Sequence, residues 1–141
     1  MENRYTKQAR EALDAAEVYA KELKHPYIGT EHLLMGLRTS ISGVAAQVLE
    51  MNGLREEDVR KVVGELVSRV GDEPFSGRPK ESPRLKFILE EGRKMAERFR
   101  MSEVGTEHLL LAIVRDTDCV AARILITLNI NLQKIMQDCL T

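Results

Sequence analysis

One hexapeptide occurs twice in this chain of 141 residues. Gly29-Thr30-Glu31-His32-Leu33-Leu34 returns as Gly105-Thr106-Glu107-His108-Leu109-Leu110, 76 residues further on. At that same spacing, without a gap, Thr6 falls on Ser82, Leu13 on Leu89, Ala20 on Ala96, Ile28 on Val104, Val44-Ala45-Ala46 on Val120-Ala121-Ala122, and Leu49 on Leu125. Agreement over so many positions marks a duplicated structural unit, and a duplication fixes architecture before any local pattern is weighed. Gly71 to Glu81 concentrates Gly, Pro and Ser and reads as a flexible connector. The organisation expected is a first repeat at 1–70, a linker at 71–81 and a second repeat at 82–141. A chain this short holds one domain, or two very small halves sharing a core.

Within each unit the apolar period is helical. Ala9, Leu13, Ala16, Ala20 and Leu23 step by four and three, and Leu85, Leu89, Gly92, Ala96 and Phe99 do so in the second copy. Thr6 and Ser82 stand at the N-caps of these long helices, and Pro83 takes the first helical position, where a missing N–H costs nothing. A second helix is expected to open at Thr30 and at Thr106 as N-caps, with Glu31 and Glu107 in the first turn. A third runs from about Val44 to Met51 and from Val120 to Leu128, stopped by Gly53 and Asn129 in the left-handed conformation. A fourth carries Val59, Val62, Val63 and Leu66, and its copy ends at Leu140. Ala45-Ala46 and Ala121-Ala122 suit close helix approach. Alternating β-branched runs are nearly absent and aromatic residues are 4% of the chain, so strands are not expected. The fold class is all-α: two pseudo-symmetric four-helix repeats, eight helices, in one compact domain.

Charge narrows the function. Lys and Arg number 21 against 22 Asp and Glu, a net charge of −1 with both halves near neutral, which gives no long-range pull toward nucleic acid or an anionic membrane. No apolar run approaches the roughly 20 residues that cross a bilayer, and Met1 to Ala20 lacks the apolar core of a signal peptide, so a cytoplasmic location is expected. Cys119 and Cys139 are expected as reduced thiols. GxxxxGK[ST], HExxH, CxxC and GxSxG are missing, so the chain is expected to be no enzyme and to hold neither cofactor nor metal.

Glu31-His32 and Glu107-His108 combine the residue types of acid/base and zinc chemistry. Adjacent helical residues diverge by about 100°, so each pair cannot share a ligand, and His32 and His108 read as structural imidazoles. His25 falls on Met101 and receives no role. Glu31 and Glu107 admit two readings. Each could complement its helix N-terminus, worth roughly 0.3 to 1 kcal/mol. Each could instead form a composite site in which the carboxylate holds a guanidinium while N–H groups and a cap hydroxyl hold an anion. Arg93, Lys94, Arg98 and Arg100 are interleaved with Glu90, Glu91, Glu97 and Glu103 and read as a solvated helix face. Cys119 beside Asp118 near a helix start offers only a weak case for a reactive thiol.

The paired GTEHLL blocks, each preceded by a capped long helix and followed by a [GC]-V-A-A block, resemble the double Clp repeat at the N-terminus of Clp-family AAA+ unfoldases, most closely the ClpC type. That resemblance spans nearly the whole chain. It implies a non-catalytic regulatory domain on a hexameric ATPase, either excised from it or standing alone, that receives substrate proteins or a MecA-like adaptor and passes substrates to the ClpP peptidase. It further implies phosphoarginine binding at one site per repeat, mapped onto Glu31 with Thr6 and Glu107 with Ser82, the acid on the guanidinium and the hydroxylated helix start on the phosphate, with which hydroxyl partners which acid left open. The second copy departs from the family pattern in Ser82, where Thr is usual, and in Arg100-Met101-Ser102-Glu103, where a Gly-His type of turn is usual.

Overall fold

The computed structural model describes residues 4–70 and 77–140, with the backbone alone for 66–70. Its helices are α1 Lys7–Glu22, α2 Thr30–Thr39, α3 Val44–Met51 and α4 Glu56–Val70 in the first repeat. The second repeat has α5 Pro83–Arg98, α6 Thr106–Arg115, α7 Val120–Thr127 and α8 Leu132–Leu140. Thr6 and Ser82 cap α1 and α5 as their positions require: Thr6 Oγ1 accepts from Ala9 N–H and Ser82 Oγ from Leu85 N–H, each at 3.1 Å. The solvated face of α5 is held by ion pairs from Arg93 to Glu90 and Glu97 and from Lys94 to Glu91.

Four helices end alike. After α1, α3, α5 and α7, a residue with positive φ turns the chain (Lys24, Gly53, Arg100 and Asn129). The next N–H then reaches back to a carbonyl in the helix, as from His25 to Ala20 and from Met101 to Ala96, both at 2.9 Å. Gly53 and Asn129 were legible as stops; Lys24 and Arg100 hold the same left-handed place without the residue type that favours it.

A single hydrophobic core runs through both repeats, from Ala9, Ala12 and Ala16 through Leu33, Leu34 and Leu49 to Ile88, Leu109, Leu125 and Ile135. Small residues let the helices close in. A Cβ on Gly36 of α2 would overlap the Ala12 carbonyl oxygen of α1, and one on Gly92 of α5 would lie 2.8 Å from the Leu109 side chain of α6. The close crossing thus takes its glycine from the second helix in one repeat and from the first helix in the other. Phe99, expected on the inward face, is instead 46% exposed and stacks on His108 with ring centroids 6.1 Å apart. Leu66 lies in α4, its side chain outside the described residues.

Two short strands depart from the all-helical expectation. Tyr27–Ile28 (β1) pairs in parallel with Lys80–Glu81 (β2), and Tyr5 forms an isolated parallel bridge with Val104. These are equivalent contacts under the 76-residue spacing, since Tyr5 corresponds to Glu81 and Ile28 to Val104. The expected connector therefore ends in an ordered strand bound to the first repeat, and Arg78 adds an ion pair to Glu17 of α1 at 2.9 Å. Of the expected linker, 71–76 lie outside the described residues.

Candidate functional site

The strand contacts decide which helix start meets which acid. Thr6 N–H donates to Val104 O at 2.9 Å, and Val104 N–H donates to Arg4 O at 2.7 Å. The start of α1 is thereby fixed to the segment that leads into Gly105-Thr106-Glu107. On the other side Ser82 N–H donates to Ile28 O at 3.0 Å and Lys80 N–H to Pro26 O at 3.1 Å, fixing the start of α5 to the segment leading into Gly29-Thr30-Glu31. The repeats exchange their helix starts: the start of α5 lies beside the segment that leads into Glu31, and the start of α1 beside the segment that leads into Glu107. The mapping of Glu31 with Thr6 and Glu107 with Ser82 leaves open which hydroxyl partners which acid, and these backbone bonds bring each acid's segment to the helix start of the other repeat.

Each acid sits at its helix N-terminus and folds back over the glycine before it. Any Cβ on Gly29 or Gly105 would collide with the carboxylate of Glu31 or Glu107. Glycine there leaves room for the carboxylates in this position, and φ is an ordinary −101° and −97°. Both acids are half-buried, and neither has an ion-pair partner among the described residues. Burial pushes the Glu31 carboxyl above its ordinary range, opposed by a hydrogen bond from its own backbone.

The neighbouring histidines complete the caps. Gly29 N–H donates to His32 Nδ1 at 2.9 Å and Gly105 N–H to His108 Nδ1 at 2.8 Å, the role an acidic or amide side chain plays at the third position of a capping box. An acceptor at Nδ1 places the His32 proton on Nε2, which points at His25 Nδ1 2.7 Å away. Burial first, then the charge of His25, drives the His32 pKa down to about 3; burial also lowers His25 and His108. These are structural imidazoles in geometry, and His25, given no role by the sequence, proves to be the partner of His32. His25 Nε2 is left buried without a hydrogen-bond partner.

Thr30 and Thr106 are not the N-caps of α2 and α6; Gly29 and Gly105 are. The threonine hydroxyls cross to the other repeat. Thr30 Oγ1 accepts from Ala121 N–H at the start of α7, and Thr106 Oγ1 accepts from Ala45 N–H at the start of α3, both at 3.1 Å and buried. This explains the recurring alanine pairs more fully than close approach alone, since each brings the first-turn N–H of a helix against the other repeat's threonine. Cys119 is 1% exposed, its Sγ accepts from Ala122 N–H, and burial raises its thiol pKa, so the weak case for a reactive thiol is not strengthened. Among the described residues, no three His, Cys, Asp or Glu side chains cluster as a metal site would require.

The family described as Clp repeat (R) N-terminal domain matches residues 4–128. The chain belongs to that family. It is 39% identical over 140 residues to the negative regulator of genetic competence ClpC/MecB of Bacillus subtilis, covering 99% of this chain and 17% of that protein. Its fold is similar to the N-terminal domain of the chaperone ClpD from Arabidopsis thaliana, with TM-score 0.75 and 21% identity over 97% of this chain and 95% of that one. It is also similar to a ClpV N-domain solved in complex with a VipB peptide, with TM-score 0.71 and 21% identity over 96% and 88% of the two chains. The Clp repeat domain is a non-catalytic, regulatory part of its ATPases, and the chain spans about a sixth of the curated relative's length. Among its described residues, no helix is long and apolar enough to cross a membrane.

Within this Clp repeat domain, two residues join the candidate sites that sequence reasoning passed over. Arg4 and Lys80 each precede the cap hydroxyl by two positions and are exposed, Arg4 just before the Tyr5 bridge and Lys80 on β2. The signal was available in the 76-residue spacing, which carries Arg4 onto Lys80, but a lone cation has no meaning until the strand exchange sets it beside a helix start.

Proposed function

We propose that this chain is the receiving domain of a ClpC-type unfoldase in the cytoplasm. It takes in substrate proteins and a MecA-like adaptor and passes substrates to the ATPase ring for unfolding and delivery to ClpP. It binds phosphoarginine as a mark on those substrates at two composite sites, Glu31 with Ser82 and Glu107 with Thr6. The observation that supports the ligand is the exchange of helix starts, which brings the segment of each carboxylate, without an ion-pair partner among the described residues, beside a helix N-terminus of the other repeat. The carboxylate suits a guanidinium through two parallel hydrogen bonds. The phosphoryl group suits the first-turn N–H groups and the cap hydroxyl, which still has its own O–H to donate while it accepts from Ala9 or Leu85. The similarity to ClpC supports the unfoldase setting, and the ClpV N-domain with its peptide supports protein recognition by this fold.

Calorimetric titration with free phosphoarginine, with arginine and phosphate as separate controls, tests the ligand. Saturable heat with phosphoarginine alone is expected. The double variant Glu31→Ala, Glu107→Ala is expected to lose at least about thirtyfold in affinity, since removing one partner of a buried charge pair costs about 2 to 5 kcal/mol. Unchanged affinity in a double variant with wild-type far-UV circular dichroism removes the ligand from the proposal.

A second reading keeps adaptor docking and drops phosphoarginine. It is favoured by one observation: both cap hydroxyls and both carboxylates are already engaged with their own helix starts. On that reading phosphoarginine does not compete with an adaptor, and the glutamate substitutions only lower the melting temperature slightly.

A further inference from the structure

The two repeats differ beside their carboxylates. Next to Glu107 a cavity of about 210 Å³ opens between the end of α5, the start of α6 and the end of α8. Phe99, Met101, Leu111 and Leu140 form its apolar walls, with Glu107, His108 and Cys139 completing it. Three of those walls are exposed: Phe99 by 46%, Met101 by 52% and Leu140 by 55%. The equivalent positions of the first repeat are Leu23, His25 and Gly64. There the His25 ring packs edge-on against His32, centroids 4.8 Å apart, where Met101 leaves the wall of His108 open.

We propose that this cavity is an apolar subsite that seats a leucine-sized side chain of a bound peptide, two residues from a cationic residue held by Glu107. In its use of Glu107 it rests on the function proposed above, and it adds a sequence preference belonging to the second repeat. The volume favours one side chain over a free small molecule, because ligand pockets run from about 300 to 1,000 Å³. Clustered exposed apolar side chains on an otherwise charged surface mark a contact site. The charge complement is specific: among the described residues no cationic side chain lines the cavity, and the one charged group there is a carboxylate without an ion-pair partner. Cys139 adds no charge there, because burial and then Glu107 push its thiol up to about 12. In an extended peptide, side chains two residues apart lie on one face roughly 7 Å apart. A guanidinium at Glu107 therefore directs the next side chain on that face toward the apolar walls.

The test is fluorescence anisotropy with three short labelled peptides on the wild-type chain and on Met101→His, which restores the first repeat's residue at an exposed position. One peptide has phosphoarginine flanked by glycine and serine only. The others carry leucine two residues before or after the phosphoarginine. At least one leucine peptide is expected to bind about tenfold more tightly than the control. The gain should vanish in Met101→His, and the Met101 methyl resonance should move with that peptide and not with the control. A control that binds with no gain from leucine overturns the subsite and leaves phosphoarginine recognition standing. If no phosphoarginine peptide binds, the same series with plain arginine decides: a leucine-dependent gain still supports the subsite, and none overturns it. A gain that survives in Met101→His with an unmoved Met101 resonance also overturns it.

Discussion

Replacing Thr30 or Thr106 by valine isolates the bonds by which one repeat completes the other. Valine keeps the shape and puts a methyl group where the hydroxyl was, so the helix start at Ala121 or Ala45 keeps its neighbours and loses its acceptor. Both threonines are 2% exposed and both alanines are fully buried, so water cannot take over. A lost cap costs about 0.5 to 2 kcal/mol, and a buried N–H left unsatisfied about 1 to 3. A loss near 2 kcal/mol per variant follows. The α3 start should suffer more, because Gly43 offers no side-chain acceptor whereas Cys119 Sγ still accepts from Ala122 N–H at the α7 start. Urea unfolding followed at 222 nm measures this directly. With a denaturant slope of about 2 kcal/mol per molar, each midpoint should fall by roughly 1 M. Thr→Ser at the same positions keeps the hydroxyl and should recover most of the loss. A valine variant within about 0.3 M of wild type, or a serine variant as unstable as valine, refutes the capping role.

Gly36→Ala should destabilise by about 1 to 3 kcal/mol in the same assay, because its Cβ meets backbone of α1 that cannot yield without parting the helices. Arg100→Gly should raise the melting temperature by a few degrees, since relief of left-handed strain of about 1 to 2 kcal/mol exceeds the added chain entropy of glycine, and an unchanged or lower value counts against strain there. His32 has a folded pKa of about 3 against 6.5 ordinarily, so the unfolded chain binds more protons between those values. Its stabilising contribution is complete above pH 6.5 and is lost as pH falls through that window, by about 2 kcal/mol between pH 7 and 5; the raised Glu31 pKa works in the opposite sense, and urea titrations at the two pH values read the sum.

What could be read from the sequence was whatever is local and duplicated. The starts of α1 and α5 followed from Thr6 and Ser82, and the end of α3 from Gly53, because caps and stops act within one turn. The caps of α3 and α7 could not be read this way. Their acceptors lie 61 and 91 residues away in sequence, and Thr30 and Thr106 looked like local N-caps because threonine favours that place. Lys24 and Arg100 were missed for a related reason: their left-handed turns are imposed by the packing after the helix, against the preference of the residue. Phe99 fits the helical period and is still 46% exposed, since it is the C-cap residue of α5 and meets α6 with one ring face only, against His108.

The acid and the hydroxyl of each candidate site were both visible, and their partnership was not. A constant spacing of 76 residues says that two units are alike and is silent on whether they stand side by side or trade segments. Two bridges, Tyr5 to Val104 and Glu81 to Ile28, settle it in favour of trading. The same trade appears in the threonine caps, so neither repeat has satisfied its own backbone without the other, and one core crosses both. Each proposed composite site consequently falls at the junction of the repeats rather than inside one of them. Its geometry is only as firm as that junction, and a substitution that loosens the exchange should blunt both sites together, whereas one at Glu31 or Glu107 should reach a single site.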